Sequence, residues 1–214
     1  MSVGAYRVIR SAPTVFVRTA RHPAVEDLAA EGVTFESMDA IYDSSDTFDE
    51  VYAKIADKII QEARKGDVVY AVPGHPLVGE SAVRILIREA RRIGLELELI
   101  GSESFIEASL EMIEIGMDEG LKILDALSLN RFAVDTDLGN LIYQVYDRAI
   151  ASDVKLALME HYPDDYEIIL LHGGAPPDER TKTIPLFMLD RCDCDHLTSV
   201  YVPPMSQDQI ASDS

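Results

Sequence analysis

Apolar and polar positions along the first hundred residues switch between the two-residue period of strands and the 3.6-residue period of helices. Thr14-Val-Phe-Val17 predicts a short strand, and His22–Glu31 a helix that begins near Pro23 and stops at Gly32. Val33–Ser37 reads as a second strand. A helix follows, with Asp46 as its N-cap and acids in its first turn; Val51, Ile55, Ile59 and Ile60 form its apolar stripe, and Gly66 ends it. Asp67–Val72 is nearly continuous in apolar residues, the pattern of a parallel strand buried on both faces. Residues 79–93 predict a further helix closed by Gly94, and Leu95-Glu-Leu-Glu-Leu-Ile100 a fourth strand. The order from 14 to 100 is β-α-β-α-β-α-β, which argues for a parallel α/β layer structure.

Beyond residue 100 the pattern predicts a helix over 103–115 that ends at Gly116, and a short helix over 118–126. A second unit begins near Asn130. It holds strands at Asn140–Tyr146 and Tyr166–Leu171, a helix over 150–161, and late strands at Ile184–Phe187 and Leu197–Tyr201 compatible with antiparallel pairing. The expected division is an N-terminal α/β domain over 1–127, a C-terminal α/β domain over 128–204 and a polar tail over 205–214. A cleft between two such units is a common place for a ligand.

Composition narrows the function classes. The chain has 214 residues with 19 basic and 38 acidic side chains, a formal charge of −19. A surface of that sign repels phosphate, so broad nucleic-acid binding is not expected. Arg7, Arg10, Arg18 and Arg21 stand in the first 22 residues with no acid among them, which leaves the remainder more acidic still. No apolar run approaches the ~20 residues of a membrane span, and the start lacks a signal-peptide core. The two cysteines, Cys192 and Cys194, are too close for a useful disulfide, which points to a reducing, cytoplasmic setting. With His196 they offer three metal-ligand types, but no second, distant ligand pair stands out, and no metal is expected.

Three segments could carry chemistry. Val68–Glu80 is a strand, a Pro/Gly turn and a helix; Gly74 would admit a ligand close to the backbone, and the helix start offers free N–H groups. It reads equally as a plain strand-to-helix turn. Gly101-Ser-Glu-Ser104 also joins a strand to a helix, where capping by Ser102 is the simpler role. His172-Gly-Gly-Ala175 leaves room for a flat ring such as adenine, or is a surface loop. His75 lies in the first turn and could act as acid, base or donor. His22 and His161 sit at helix ends with no evident catalytic partner. No Ser/His/Asp set, Walker loop or GxGxxG is present, and no catalytic residue is assigned.

The string AVPGHPLVGE at 71–80 resembles the tetrapyrrole (corrin/porphyrin) methylase-like domain of the YabN type, the N-terminal part of MazG-related proteins. RTARHPAVEDLAAEGVTFESMD at 18–39, DTFDEVYAKI at 46–55, QVYDRAIASDVKLALMEHYPDDYEI at 144–168, TIPLFMLDR at 183–191 and HLTSVYVPP at 196–204 are similar to the same branch. The resemblance covers nearly the whole chain. It implies two α/β/α domains with S-adenosylmethionine (SAM) in the cleft between them. It implies cofactor contacts from Pro73, Gly74, His75, Pro76, Leu77 and Val78, a turn that looks like the family's Gly-Asp-Pro loop with His75 in place of Asp. Ser102, Ser104, Gln144, Val145 and Tyr146 match further cofactor-facing positions, and Gly174, Ala175 and Pro185 match later ones.

The family's first strand and its Gly-rich loop of the G-x-G-P-G kind have no counterpart before Met1, so the sheet is expected to lack one strand and the pocket one wall. The pyrophosphohydrolase domain has no counterpart either, so hydrolysis of nucleoside triphosphates is not expected. The function implied is SAM-dependent methyl transfer to an unidentified acceptor, in a homodimer. The alternative is a non-catalytic domain that senses SAM or a nucleotide and regulates a MazG-type nucleotide pyrophosphohydrolase. RNA methylation is a third reading, against which the charge counts.

Overall fold

The computed structural model describes residues 1–130, 133–173 and 180–205. The described chain forms two compact units, Met1–Ser104 and Phe105 onward. The boundary expected at 127 moves earlier because residues 121–125, read above as part of a helix, are a strand that pairs inside the second unit. Alternating short apolar and polar positions there are satisfied by a ladder rather than by a helical turn.

The first unit contains α1 (Val3–Ser11), β1 (Val15–Val17), α2 (Pro23–Ala30), β2 (Glu36–Ser37), α3 (Asp39–Asp43), α4 (Phe48–Ala63), β3 (Val69–Ala71) and α5 (Ser81–Ile93). Its sheet is parallel in the order β2-β1-β3. Residues 3–11 and 39–43 carry helices the apolar pattern did not announce. α1 starts where the Ser2 hydroxyl accepts the N–H of Ala5 at 3.2 Å.

α4 is capped by Thr47 rather than Asp46: the threonine hydroxyl accepts the Glu50 N–H, while the Asp46 N–H donates to the Glu50 carboxylate. The predicted stripe of α4 is buried, and it packs with Phe16 of β1, Met38 and Leu86 of α5. α2 opens with Pro23 as predicted, and His22 is its cap, its Nδ1 accepting the Ala24 N–H at 3.2 Å. α5 stops at Gly94, which takes φ 71°, a left-handed conformation that costs glycine little.

The predicted strand at Leu95–Ile100 does not pair. It belongs to no sheet, and residues 96–100 make no backbone hydrogen bond among the described residues. Leu97 and Leu99 remain 38% and 42% exposed. Alternation supplies a strand with an apolar face, but a strand needs a partner to complete its ladder.

The second unit contains α6 (Phe105–Ile113), β4 (Leu121–Asp125), β5 (Gly139–Tyr143), α7 (Arg148–Met159), β6 (Glu167–His172), β7 (Arg180–Pro185) and β8 (Thr198–Val202), with short 3-10 turns at Met117–Glu119, Ala126–Ser128 and Leu186–Arg191. Its mixed sheet runs β4-β5-β8-β6-β7. β4 and β5 are parallel, and β8 is antiparallel to both β5 and β6. The predicted strand at Ile184–Phe187 lies instead at 180–185, because Leu186 turns inward to start the 3-10 segment.

Asp147 caps α7 through the Ile150 N–H at 2.8 Å. Ala151, Val154 and Leu158 then point one buried stripe at Ile142, Ile168, Leu186, Leu189 and Val200. Fully buried Asn140 has its amide spent on the Asp135 and Leu138 carbonyls and the Tyr162 hydroxyl, which pins the loop before β5. No helix among the described residues is long and apolar enough to cross a membrane.

Ile55→Ala, which empties a site of zero exposure in α4, is expected to cost about 3 kcal/mol of stability. Leu97→Ser is expected to cost less than about 0.5 kcal/mol in the same chain. Urea unfolding followed by circular dichroism compares the two; equal losses would show that 95–100 is packed as a strand.

Candidate functional site

In the first unit the carboxyl ends of β1 and β3 lie side by side, since Val17 pairs with Ala71 and the Arg18 N–H donates to the Ala71 carbonyl at 2.9 Å. The chain leaves β3 through Pro73-Gly-His-Pro76. Gly74 has φ 75°, and a Cβ added there would meet the Glu103 carbonyl at 3.7 Å and Ser104 Cα at 3.9 Å. At Gly101 a Cβ would fall 2.8 Å from His75 Nε2. The turn 73–78 and the turn 101–104 are therefore packed together, and the absence of a side chain at Gly101 is what seats the imidazole.

His75 Nδ1 accepts the Leu77 N–H at 3.1 Å, so the ring braces its own turn with the proton on Nε2. Leu77 projects outward and is 54% exposed. The Ser102 hydroxyl accepts the Ser2 N–H at 3.1 Å, and the Ser2 hydroxyl donates to the Gly101 carbonyl at 2.9 Å. Ser104 is buried at the end of this turn.

Beside these turns lies a buried charge that the residue pattern did not announce. Arg18, immediately after β1, places Nη1 2.7 Å from Glu80 Oε1 and Nε 3.1 Å from the Tyr42 hydroxyl. Glu80 stands at the N-cap position of α5 but makes no cap bond, because its carboxylate is turned to Arg18. Burial pushes the Glu80 carboxyl up, and Arg18 offsets only part of that. Burial works against the Arg18 charge as well, yet Glu80 together with the Tyr42 and Tyr70 hydroxyls outweighs it, and the net shift is up. The Tyr70 hydroxyl, on β3, is buried without a hydrogen-bond partner, and burial raises its pKa. The only sequence signal for the cluster was an arginine directly after an apolar strand.

In the second unit Gln144 and Tyr146 follow β5. Gln144 holds φ 65°, a left-handed conformation rare for a side-chain-bearing residue and costly by about 1 kcal/mol. Val145 is fully buried: its N–H donates to the Thr198 carbonyl and its side chain belongs to the core. Its contribution to any ligand is limited to backbone. The same end of the sheet carries His172, whose Nε2 lies 2.8 Å from Asp195 Oδ2. Burial raises the Asp195 carboxyl, but the hydrogen bond from His172, with those of Leu197 and Thr198, lowers it further, and the net shift is down. His172 Nδ1 is buried and unpartnered.

The structure groups Gln144, Tyr146 and His172 at one end of the sheet. It does not bring Pro185 there. Pro185 pairs with Glu167 at the opposite end of β6, five residues from His172, about 16 Å along the strand. Gly174 and Ala175 lie outside the described residues. Among the described residues no group of three or more His, Cys, Asp and Glu is placed to hold a metal ion. A concavity of about 250 Å³ between α4 and α5, lined by Asp57, Arg64, Glu89 and Arg92, includes none of the predicted site residues.

Residues 1–190 match the family of tetrapyrrole (corrin/porphyrin) methylases. The chain belongs to the tetrapyrrole methylase family. It is 38% identical over 211 residues to YabN of Bacillus subtilis (strain 168), an alignment that takes in 98% of this chain and 43% of YabN. The chain thus spans less than half the length of that relative. Among solved structures it is similar to a uroporphyrin-III-C-methyltransferase of Thermus thermophilus, with a TM-score of 0.71 and 18% identity over 95% of this chain and 87% of that one. It is also similar to a putative diphthine synthase of Entamoeba histolytica, with a TM-score of 0.69 and 11% identity over 99% and 90% of the two chains. The cobalt precorrin-4 methyltransferase CbiF gives 0.66 and 12% over 95% and 88%. At these identities the structures establish a shared tetrapyrrole methylase fold.

Glu80→Ala is expected to cost about 3 kcal/mol, because it strands the Arg18 charge; Arg18→Met combined with Glu80→Leu is expected to recover most of it. Thermal unfolding of the single and double variants reads the difference, and a double variant no better than the single would overturn it.

The Asp195 carboxyl, depressed in the fold, contributes stability that is present above the ordinary carboxylate pKa and fades as pH falls through the lowered value. In His172→Ala the Asp195 pKa is expected to move up, as read by carbon NMR of the carboxyl.

Proposed function

We propose that this chain is a SAM-binding domain of methyltransferase type, with an acceptor that its residues do not name. The observation that carries the reading is membership of the tetrapyrrole methylase family over residues 1–190, whose members use SAM. The residues present suit such a ligand. Gly74 leaves the backbone bare at a turn beyond a parallel strand, the place where open α/β sheets receive ligands. In the first unit Leu77, Pro76 and Val78 offer apolar surface to an adenosine, and Ser102 and Ser104 offer hydrogen-bonding groups.

SAM supplies an already activated methyl group on a sulfonium. The protein's part is placement of donor and acceptor, which accounts for most of the acceleration such a site needs. The turn at His75, braced by its own hydrogen bond to the Leu77 N–H, suits that task.

A second reading is favoured by one observation. His75, in place of the family's Asp, spends Nδ1 on Leu77 and its ring on the space over Gly101. A turn so filled suits a domain that binds SAM or a nucleotide without turnover, as a regulator of a MazG-type pyrophosphohydrolase in a cytoplasmic, homodimeric protein.

Calorimetric titration with S-adenosylhomocysteine tests the cofactor reading. One-to-one binding is expected, weakened at least about tenfold in Gly101→Ala, whose Cβ displaces the His75 ring. Absence of binding by the parent chain sinks the reading, and unchanged binding by Gly101→Ala moves the site away from these turns. Transfer of a labelled methyl group to any component of a cell extract would dispose of the regulator without turnover.

A further inference from the structure

We infer that Arg18 is the anchor of a small-molecule site that takes a carboxylate at the carboxyl end of the first unit's sheet, with Glu80 and Tyr42 as the groups that hold its guanidinium in place.

The position suits a ligand. Arg18 directly follows β1, and its backbone N–H is bonded to the Ala71 carbonyl, so it is fixed beside the exit of β3 and the turn that starts at Pro73. Open parallel sheets receive ligands at this end. The Arg18 side chain is 33% exposed, whereas that of Glu80 is 5% exposed. The pair is therefore lopsided: the acid is buried, and the base reaches solvent.

The guanidinium is held but not used up. An arginine carries its N–H donors in one plane, two of them on each terminal nitrogen. Nη1 donates to Glu80 Oε1 at 2.7 Å, and Nε to the Tyr42 hydroxyl at 3.1 Å. Nη2 has no partner among the described residues. Glu80 meets the guanidinium through one oxygen, so the two-pronged carboxylate contact that the fork allows is not made. The adjoining acid does not fill the gap, because Asp39 accepts the Ala20 N–H and the Ser37 hydroxyl instead. Tyr70 adds a further donor to the same corner. Its hydroxyl is buried without a partner, and the Glu80 charge, after burial itself, raises its pKa. Donors outnumber the acceptors turned to them, and the missing group is an acceptor oxygen.

Charge decides the class of that oxygen. Glu80 already sets one negative charge against Nη1, and the chain as a whole carries −19. A doubly charged phosphate meets more of that repulsion than a singly charged carboxylate. A planar carboxylate also matches the planar fork. Stability alone does not call for this arrangement, since a buried ion pair is worth little more than an apolar pair of similar size. Arg18→Met combined with Glu80→Leu therefore separates binding from folding.

Nitrogen NMR of the arginine side chains provides the test, with trimesate, an aromatic tricarboxylate, as the probe. The Arg18 resonances should shift and saturate with trimesate and stay in place with its neutral triamide. Arg18→Lys, which keeps the charge and loses the fork, should bind at least about tenfold more weakly. The double variant should melt near the parent chain and bind no trimesate. An Arg18 signal that ignores trimesate, equal shifts with the triamide, tighter binding of inorganic phosphate, or trimesate binding kept by the double variant overturns the inference. Two sources share this chemistry: the amino-acid end of SAM and a separate small molecule. Titration of Arg18→Lys with S-adenosylhomocysteine tells them apart, since a matching loss assigns the carboxylate to the cofactor and an unchanged affinity assigns it to a separate molecule. The trimesate titration needs no cofactor, so this inference and the SAM reading fail separately.

Discussion

The short parallel ladder between β1 and β3 is the constraint on which the candidate site depends. Three residue pairs hold it, and its carboxyl ends set the positions of Arg18 and of the turn at Gly74. Ladder bonds alone are worth little; what fixes these strands is the packing of Phe16 against the buried stripe of α4 and Leu86 of α5. Among the described residues the other edge of β3 carries no ladder, so packing rather than pairing holds that side of the sheet.

Polar pairs at strand ends do a second job. Glu80 is taken out of water and half-buried Arg18 reaches it near the orphan hydroxyl of Tyr70, a combination that rewards a fixed geometry more than it adds net stability. His172 and Asp195 pair at the end of β6 nearer to solvent, with Nε2 facing the carboxylate and Nδ1 left without a partner. Neither pair was evident in the residue order. Arg18 and Glu80 are far apart along the chain, as are His172 and Asp195.

Where prediction and structure agree, the signal was local. The stop at Gly94, the start at Pro23 and the stripe of α4 each follow from one residue's backbone preference or from one helical face. Where they differ, a partner decided. Leu95–Ile100 alternates like a strand but has no neighbour to pair with, whereas 121–125 was read as helical and becomes a strand because β5 offers it an edge. The cap of α4 moved by one residue because the Thr47 hydroxyl reaches the Glu50 N–H. Val145 was read as facing a cofactor, and its side chain went to the core instead.

The sequence by itself determined the layer type and the turn at Gly74 and His75, because periodicity and backbone preference are written in neighbouring residues, and its specific strings carried the resemblance to the family. Only the tertiary structure decided which segments pair, that His75 rests over Gly101, that Arg18 meets Glu80, and that Pro185 lies at the far end of β6 from Gln144. Those are distances between residues remote in the chain. Burial and ladder register set them, and neither quantity exists until the sheet has formed.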